Sequence, residues 1–111
     1  MIVVEIADGL LQPETSNLIV DPWFHNIVGK VVFSAGDAMG AMTGLAELRR
    51  RSLDVVAVAG ALTASPLAVR ETERVVDVPV ATLIDLCTPE IAERILAPAV
   101  RSRELQPVAA A

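Results

Sequence analysis

Four apolar runs of strand length, at residues 1–6, 30–35, 55–59 and 79–84, constrain what this chain folds into more than any other feature. The first closes near Asp8-Gly9, the next two stop at Gly36 and Gly60 and the last at Asp85, and the first shows no polar alternation of a half-wet strand. Runs of this kind read as strands buried on both faces of a sheet. Stretches with helical start signals fill the gaps between them. Pro13 opens a short helix to about residue 20, and Asp21-Pro22 starts a second over 23–28 that Gly29 closes. The segment 38–51 carries Met42, Leu45, Ala46 and Leu48 on one face. Ser65-Pro66 begins a helix over 67–76, and Thr88-Pro89 begins a last one to about residue 96.

The order β-α-β-α-β-α-β-α predicts an α/β fold. Its form is a three-layer, mainly parallel four-stranded sheet with helices on both faces, Rossmann-like or the equivalent of half a P-loop-like domain. One domain spans 1–97, and 98–111, which lose apolar periodicity, read as a frayed C-terminal tail. At 111 residues no second core fits. The 53% hydrophobic content comes mainly from Ala, Val, Leu and Ile, which suit closely packed helix-on-sheet layers.

A formal charge of −5 argues against a nucleic-acid partner, because such binding rests on clustered Lys and Arg. The only basic run, Arg49 to Arg51, reads as a solvated helix C-terminus, where cations complement the helix dipole. Cys87 is alone, so no internal disulfide is available, and it reads as a small buried apolar residue. The apolar runs fall well short of the ~20 residues that span a bilayer, and no basic segment precedes the first one. A cytoplasmic protein that neither crosses a membrane nor binds nucleic acid is the expectation.

In an open parallel sheet, ligands bind at the C-terminal ends of the strands. The residues expected there are Glu5, Asp8 and Gly9; Ser34, Gly36 and Asp37; Gly60, Thr63 and Ser65; and Asp85 with Thr88. Carboxylates on one rim can hold a hard cation such as Mg²⁺. Asp37, Ser65 and Asp85 equally suit simple helix caps. Glu5 stands out, because a carboxylate within a buried strand needs a partner or a metal. The tentative ligand-binding set is therefore Glu5, Asp8, Gly9, Gly36, Asp37 and Thr63, with Glu5 as the metal ligand. Gly36, Gly40 and Gly44 recur every four residues. They suit close helix packing, or alternatively a turn whose N–H groups cradle a phosphate. His25, the single histidine, has no ligand or triad partner in sequence and reads as structural or surface.

Taken together, VVEIADGLLQ, KVVFSAGDAMG, ELRRRSLDVVAV and VPVATLIDL resemble the C-terminal half of the dethiobiotin-synthetase-like P-loop ATPases, across roughly residues 2–86. The resemblance implies that Glu5 matches the acidic residue near the nucleotide's Mg²⁺ and that Asp8-Gly9 shapes the substrate-side turn. Two family features are missing. The Walker A pattern G-x-x-x-x-G-K-S/T is absent, and Ala61-Leu62-Thr63 stand where an Asn commonly follows the base-side strand. Because phosphate positioning supplies nearly all of that catalysis, an autonomous ATPase is not expected. The expectation is a non-catalytic or partial module that binds a partner chain or a small anionic ligand, as a homo-oligomer or completed by an upstream chain. The alternative is a small enzyme using Mg²⁺ and a nucleotide at the rim.

Overall fold

The structure, a computed structural model, describes residues 1–105 and the side chains of 1–97 among them. Six α-helices and two strands follow one another as α1 (Pro13–Leu18), α2 (Pro22–Ile27), β1 (Val31–Ser34), α3 (Ala38–Arg50), β2 (Val55–Ala59), α4 (Pro66–Val75), α5 (Leu83–Cys87) and α6 (Pro89–Leu105). A 3₁₀ turn, Ala61–Ala64, links β2 to α4.

Local chemistry explains most of these boundaries. Asp21 accepts the Trp23 N–H at 2.7 Å to start α2, Asp37 accepts the Gly40 N–H at 2.7 Å to start α3, and Ser65 accepts the Ala68 N–H at 3.3 Å to start α4. Each cap satisfies a backbone donor that the first helical turn leaves unpaired. At the other end of α3, Leu53 N–H donates to Leu48 O at 3.0 Å and Ser52 N–H to Arg49 O at 2.8 Å. That pair of bonds is a Schellman motif, with Ser52 in the left-handed region at φ 62° where glycine is usual.

β1 and β2 pair in parallel, with Val31 beside Val55 and Ser34 beside Ala59. On the other edge of β2, Val58 makes an isolated parallel bridge to Val80, donating to Pro79 O at 2.9 Å and accepting from Ala81 N–H at 2.8 Å. The core lies mainly on the α3 side of the sheet, where Leu45 and Leu48 meet Val55, Ile19 and Phe24. Ala41, Val58 and Leu62 continue it beneath α4. On the opposite face, among the described residues, Ile95 of α6 packs on Ala57 and Ala81 over β2.

The four-stranded, three-layer sheet is therefore corrected: the sheet has two parallel strands in a small, helix-rich chain. Residues 1–6 form no strand and lie exposed, with Ile2 at 91% and Val3 at 82% accessibility. An apolar run gains strand structure only with an edge to pair and layers to bury it. The fourth run is cut short by its own end. Thr82 and Asp85 form a reciprocal capping box, Asp85 N–H to Thr82 Oγ1 at 3.1 Å and Thr82 N–H to Asp85 Oδ2 at 2.8 Å. The box starts α5 at Leu83 and leaves only Val80 to bridge. At the C-terminus α6 continues past the expected end near residue 96 to Leu105, and positions 106–111 of the expected tail lie outside the described residues.

Candidate functional site

The rim formed by the ends of β1 and β2 is the place where the structure gathers candidate residues. The two turns are stitched by backbone bonds: Ala35 N–H donates to Ala59 O at 3.0 Å and Leu62 N–H to Ala35 O at 3.1 Å. Gly36 and Asp37 follow Ala35, and Thr63 follows Leu62, so these three candidates sit on adjoining turns. Gly60 lies between them at φ 98°, and a Cβ there would run into Ser34 Oγ and stand 2.8 Å from Ala35 N and 2.9 Å from Ala35 O. Only glycine suits this crossing, because it combines a left-handed backbone with contact too close for a side chain. Thr63 donates its hydroxyl to Gly60 O at 2.8 Å, which fixes the same turn.

Glu5, Asp8 and Gly9 are not tied to that rim. Glu5 and Asp8 are exposed and make no hydrogen bond or ion pair among the described residues. Gly9 O accepts the Gln12 N–H at 3.0 Å in the turn that leads into α1. Since residues 1–6 are not a buried strand, the burial that singled out Glu5 is absent. No group of three or more His, Cys, Asp or Glu is placed to hold a metal ion among the described residues.

The start of α3 carries its own anion. The Asp37 carboxylate occupies the Gly40 N–H, so part of the donor set that would cradle a phosphate is already satisfied by a negative charge. Gly44, not Gly36 or Gly40, explains the four-residue spacing: a Cβ at Gly44 would overlap the Phe33 ring, whereas nothing lies within 4 Å of one at Gly36. The spacing therefore records helix-on-strand packing at one position.

Other singled-out residues lie away from the rim or in local contacts. The imidazole Nε2 of His25 lies 2.8 Å from Ile19 O, joining the two short helices. Cys87 is exposed, not buried as expected, because it ends the short helix α5 on the surface. Glu47 accepts from Arg50 at 2.7 Å and from Arg51 at 2.8 Å, and those hydrogen bonds lower its pKa to about 2. Arg49 pairs with Asp77 at 2.7 Å and lowers that carboxyl's pKa. Asp85 is lowered chiefly by the Thr82 N–H it accepts. These displaced carboxylates report capping and ion pairing.

Sequence reasoning did not anticipate an open groove of about 440 Å³ at the opposite end of α3, between it and the end of α4. Met42, Ala46, Arg49, Arg74, Val75 and Asp77 line it. The far-apart Arg49 and Asp77 meet there only in the folded chain, so no local sequence signal marks it.

No protein-family model, curated protein or solved structure matches this chain. No helix among the described residues is long and apolar enough to cross a membrane.

Proposed function

We propose that this protein is a non-catalytic α/β module that binds a partner chain through its N-terminal segment. The observation that carries the reading is the exposure of Ile2, Val3 and Val4, at 91%, 82% and 76%. Isolated exposed apolar residues are ordinary, but three in succession outside any helix or strand have the character of an interaction segment. Trp23, at 67%, adds a large exposed ring on α2. The acidic net charge goes with a partner that is neither nucleic acid nor an anionic membrane, and a cytoplasmic setting is part of the same reading.

Replacing Ile2, Val3 and Val4 together by Ser tests this by thermal unfolding. At a dilution where light scattering shows a monomer, a segment that serves a partner leaves the Tm unchanged when made polar. A Tm that falls by several degrees means that the segment packs on its own domain, and the reading fails.

A second reading is a small nucleotide- and Mg²⁺-dependent enzyme at the rim, favoured by the left-handed Gly60 pressed against Ser34 and Ala35. Backbone held in a sparsely populated region concentrates at functional sites. Thermal shift with ATP and Mg²⁺ checks it, because a ligand that binds only the native state raises the Tm. A rise abolished by Asp37→Asn supports this second reading, and no rise with any nucleotide removes it.

A further inference from the structure

We infer that the partner is a second copy of this chain, whose residues 2–5 add as an antiparallel strand to the open edge of β1; this rests on the module reading above. β1 is an acceptor. Val31 and Ala35 donate their N–H groups toward β2, to Asp54 O at 2.8 Å and Ala59 O at 3.0 Å. Backbone polarity alternates along a strand, so the N–H and C=O groups of Val32 and Ser34 point away from β2, where no described strand pairs with them. An edge of this kind is a template for another chain. Residues 2–5 are a donor of matching length, outside any helix or strand and without a strand partner among the described residues.

Charge fixes the register. Lys30, the single lysine of the chain, stands immediately before β1 and makes no ion pair among the described residues, and Glu5 makes none either. Placing Glu5 opposite Lys30 in an antiparallel ladder sets Val4 opposite Val31, Val3 opposite Val32 and Ile2 opposite Phe33. Side chains then sort by face. Ile2 and Val4 join the half-buried Val31 and Phe33 on the core side, while Val3, Val32 and the Glu5–Lys30 pair share the opposite face, where Val32 is exposed. A parallel ladder with the same strands sets Glu5 near the C-terminal end of β1, away from Lys30. Each copy carries one donor and one acceptor, so two copies exchanging strands close on a two-fold axis with no site left over.

Light scattering combined with cysteine pairing tests the exchange in the full chain. In a Cys87→Ser background, Val3→Cys and Val32→Cys are made singly and mixed under mild oxidation. Directly opposed residues have Cα atoms roughly 5.5 Å apart, within disulfide range. The expected result is a dimer by light scattering and a mixed disulfide between the two variants that outruns either variant alone. Glu5→Lys weakens the dimer at least about tenfold, since two symmetry-related pairs turn repulsive, and Glu5→Lys combined with Lys30→Glu restores it. Failure of the charge swap to restore the dimer overturns the register and the inference with it. A Val3→Cys/Val32→Cys double variant that closes within one chain and stays monomeric overturns exchange. So does a strict monomer at every concentration. In that case an unchanged Tm for the Ser-substituted segment leaves the module reading standing, whereas a lowered Tm removes both.

Discussion

Residues 1–6 and strand β2 are both short runs of aliphatic side chains, yet one lies in solvent and the other holds the core. In β2, Val55, Ala57, Val58 and Ala59 are all buried. The difference lies in their neighbours. β2 has β1 on one edge and Val80 on the other, α3 above it and α6 below. Residues 1–6 have neither a paired edge nor a covering layer among the described residues. Apolar content nominates a strand, and paired edges with covered faces make one.

The sharpest way to break this comparison is to truncate a side chain in each region. Leu62 is 1% exposed and packs on Val58 and Ala41, so Leu62→Ala is expected to cost about 2–5 kcal/mol through lost burial and the cavity left behind. In the monomer, Ile2→Ala is expected to change stability by less than ~0.5 kcal/mol, the range of surface sites. Urea unfolding of the two variants decides it. Comparable losses would mean that residues 1–6 are packed as β2 is, and the contrast would disappear.

Next in size come the glycines. Gly60→Ala is expected to destabilise by roughly 1–3 kcal/mol, because the new Cβ combines a left-handed backbone with contact on Ser34 and Ala35 at the exit of β2. Gly9→Ala, in the turn that follows the N-terminal run, meets open space and is expected to be near neutral. Chemical denaturation midpoints of the pair measure how much more tightly the end of β2 is built than the end of residues 1–9.

Most helix starts were legible in the sequence because they are local. Asp21, Asp37 and Ser65 each cap within three residues, and proline marks the first turn of α2 and α4. β2 was read at its observed bounds, and β1 within a residue at each end. What failed was non-local. Whether residues 1–6 pair depends on an edge provided by residues separated by two helices, which no window of sequence contains. The fourth run failed for a local reason that was visible: Thr82 and Asp85 have capping-box spacing, but the apolar Pro79–Ile84 pattern outweighed it. At the candidate site, Gly36, Asp37 and Thr63 were legible as turn residues after strands. Glu5 was singled out on a burial that residues 1–6 do not have, and the groove between α3 and α4 needed contacts formed only by folding.

Thr82→Ala probes that fourth run. Loss of the cap is expected to destabilise the domain by about 0.5–2 kcal/mol. If the capping box is what limits pairing with β2 to Val80, hydrogen exchange at residues 83–87 quickens in the variant while the Ala81 amide, bonded to Val58 O, stays protected. A variant as stable as the parent would mean that α5 is held by its packing on α6 and not by its cap.

The lead into β2 offers a smaller effect of opposite sign. Ser52 occupies the left-handed position that closes α3, and Leu48 and Leu53 on either side of it are buried. Ser52→Gly keeps both backbone bonds and removes the Cβ penalty, so it is expected to stabilise by up to ~1 kcal/mol. Calorimetry showing a lower Tm would mean that the serine side chain contributes something the geometry does not show.

The smallest effect concerns charge, and it separates the same two regions. The turn into β2 is flanked by the pairs Glu47–Arg50, Glu47–Arg51 and Arg49–Asp77, whereas Glu5 and Asp8 in the N-terminal segment have no ion pair among the described residues. Hydrogen bonds from Arg50 and Arg51 hold the Glu47 pKa at about 2, below its ordinary 4.5. A carboxyl whose pKa is lower in the folded chain binds protons more readily when unfolded. Its stabilisation is therefore complete above the ordinary carboxylate range and is lost as pH falls from about 4.5 toward 2. Urea midpoints followed across that window are expected to drop more steeply for the parent than for Glu47→Gln. Added salt narrows the gap, because these pairs face water. Parallel profiles would show that the ion pairs at the end of α3 add nothing to β2, leaving burial and backbone pairing as the whole of what distinguishes that strand from residues 1–6.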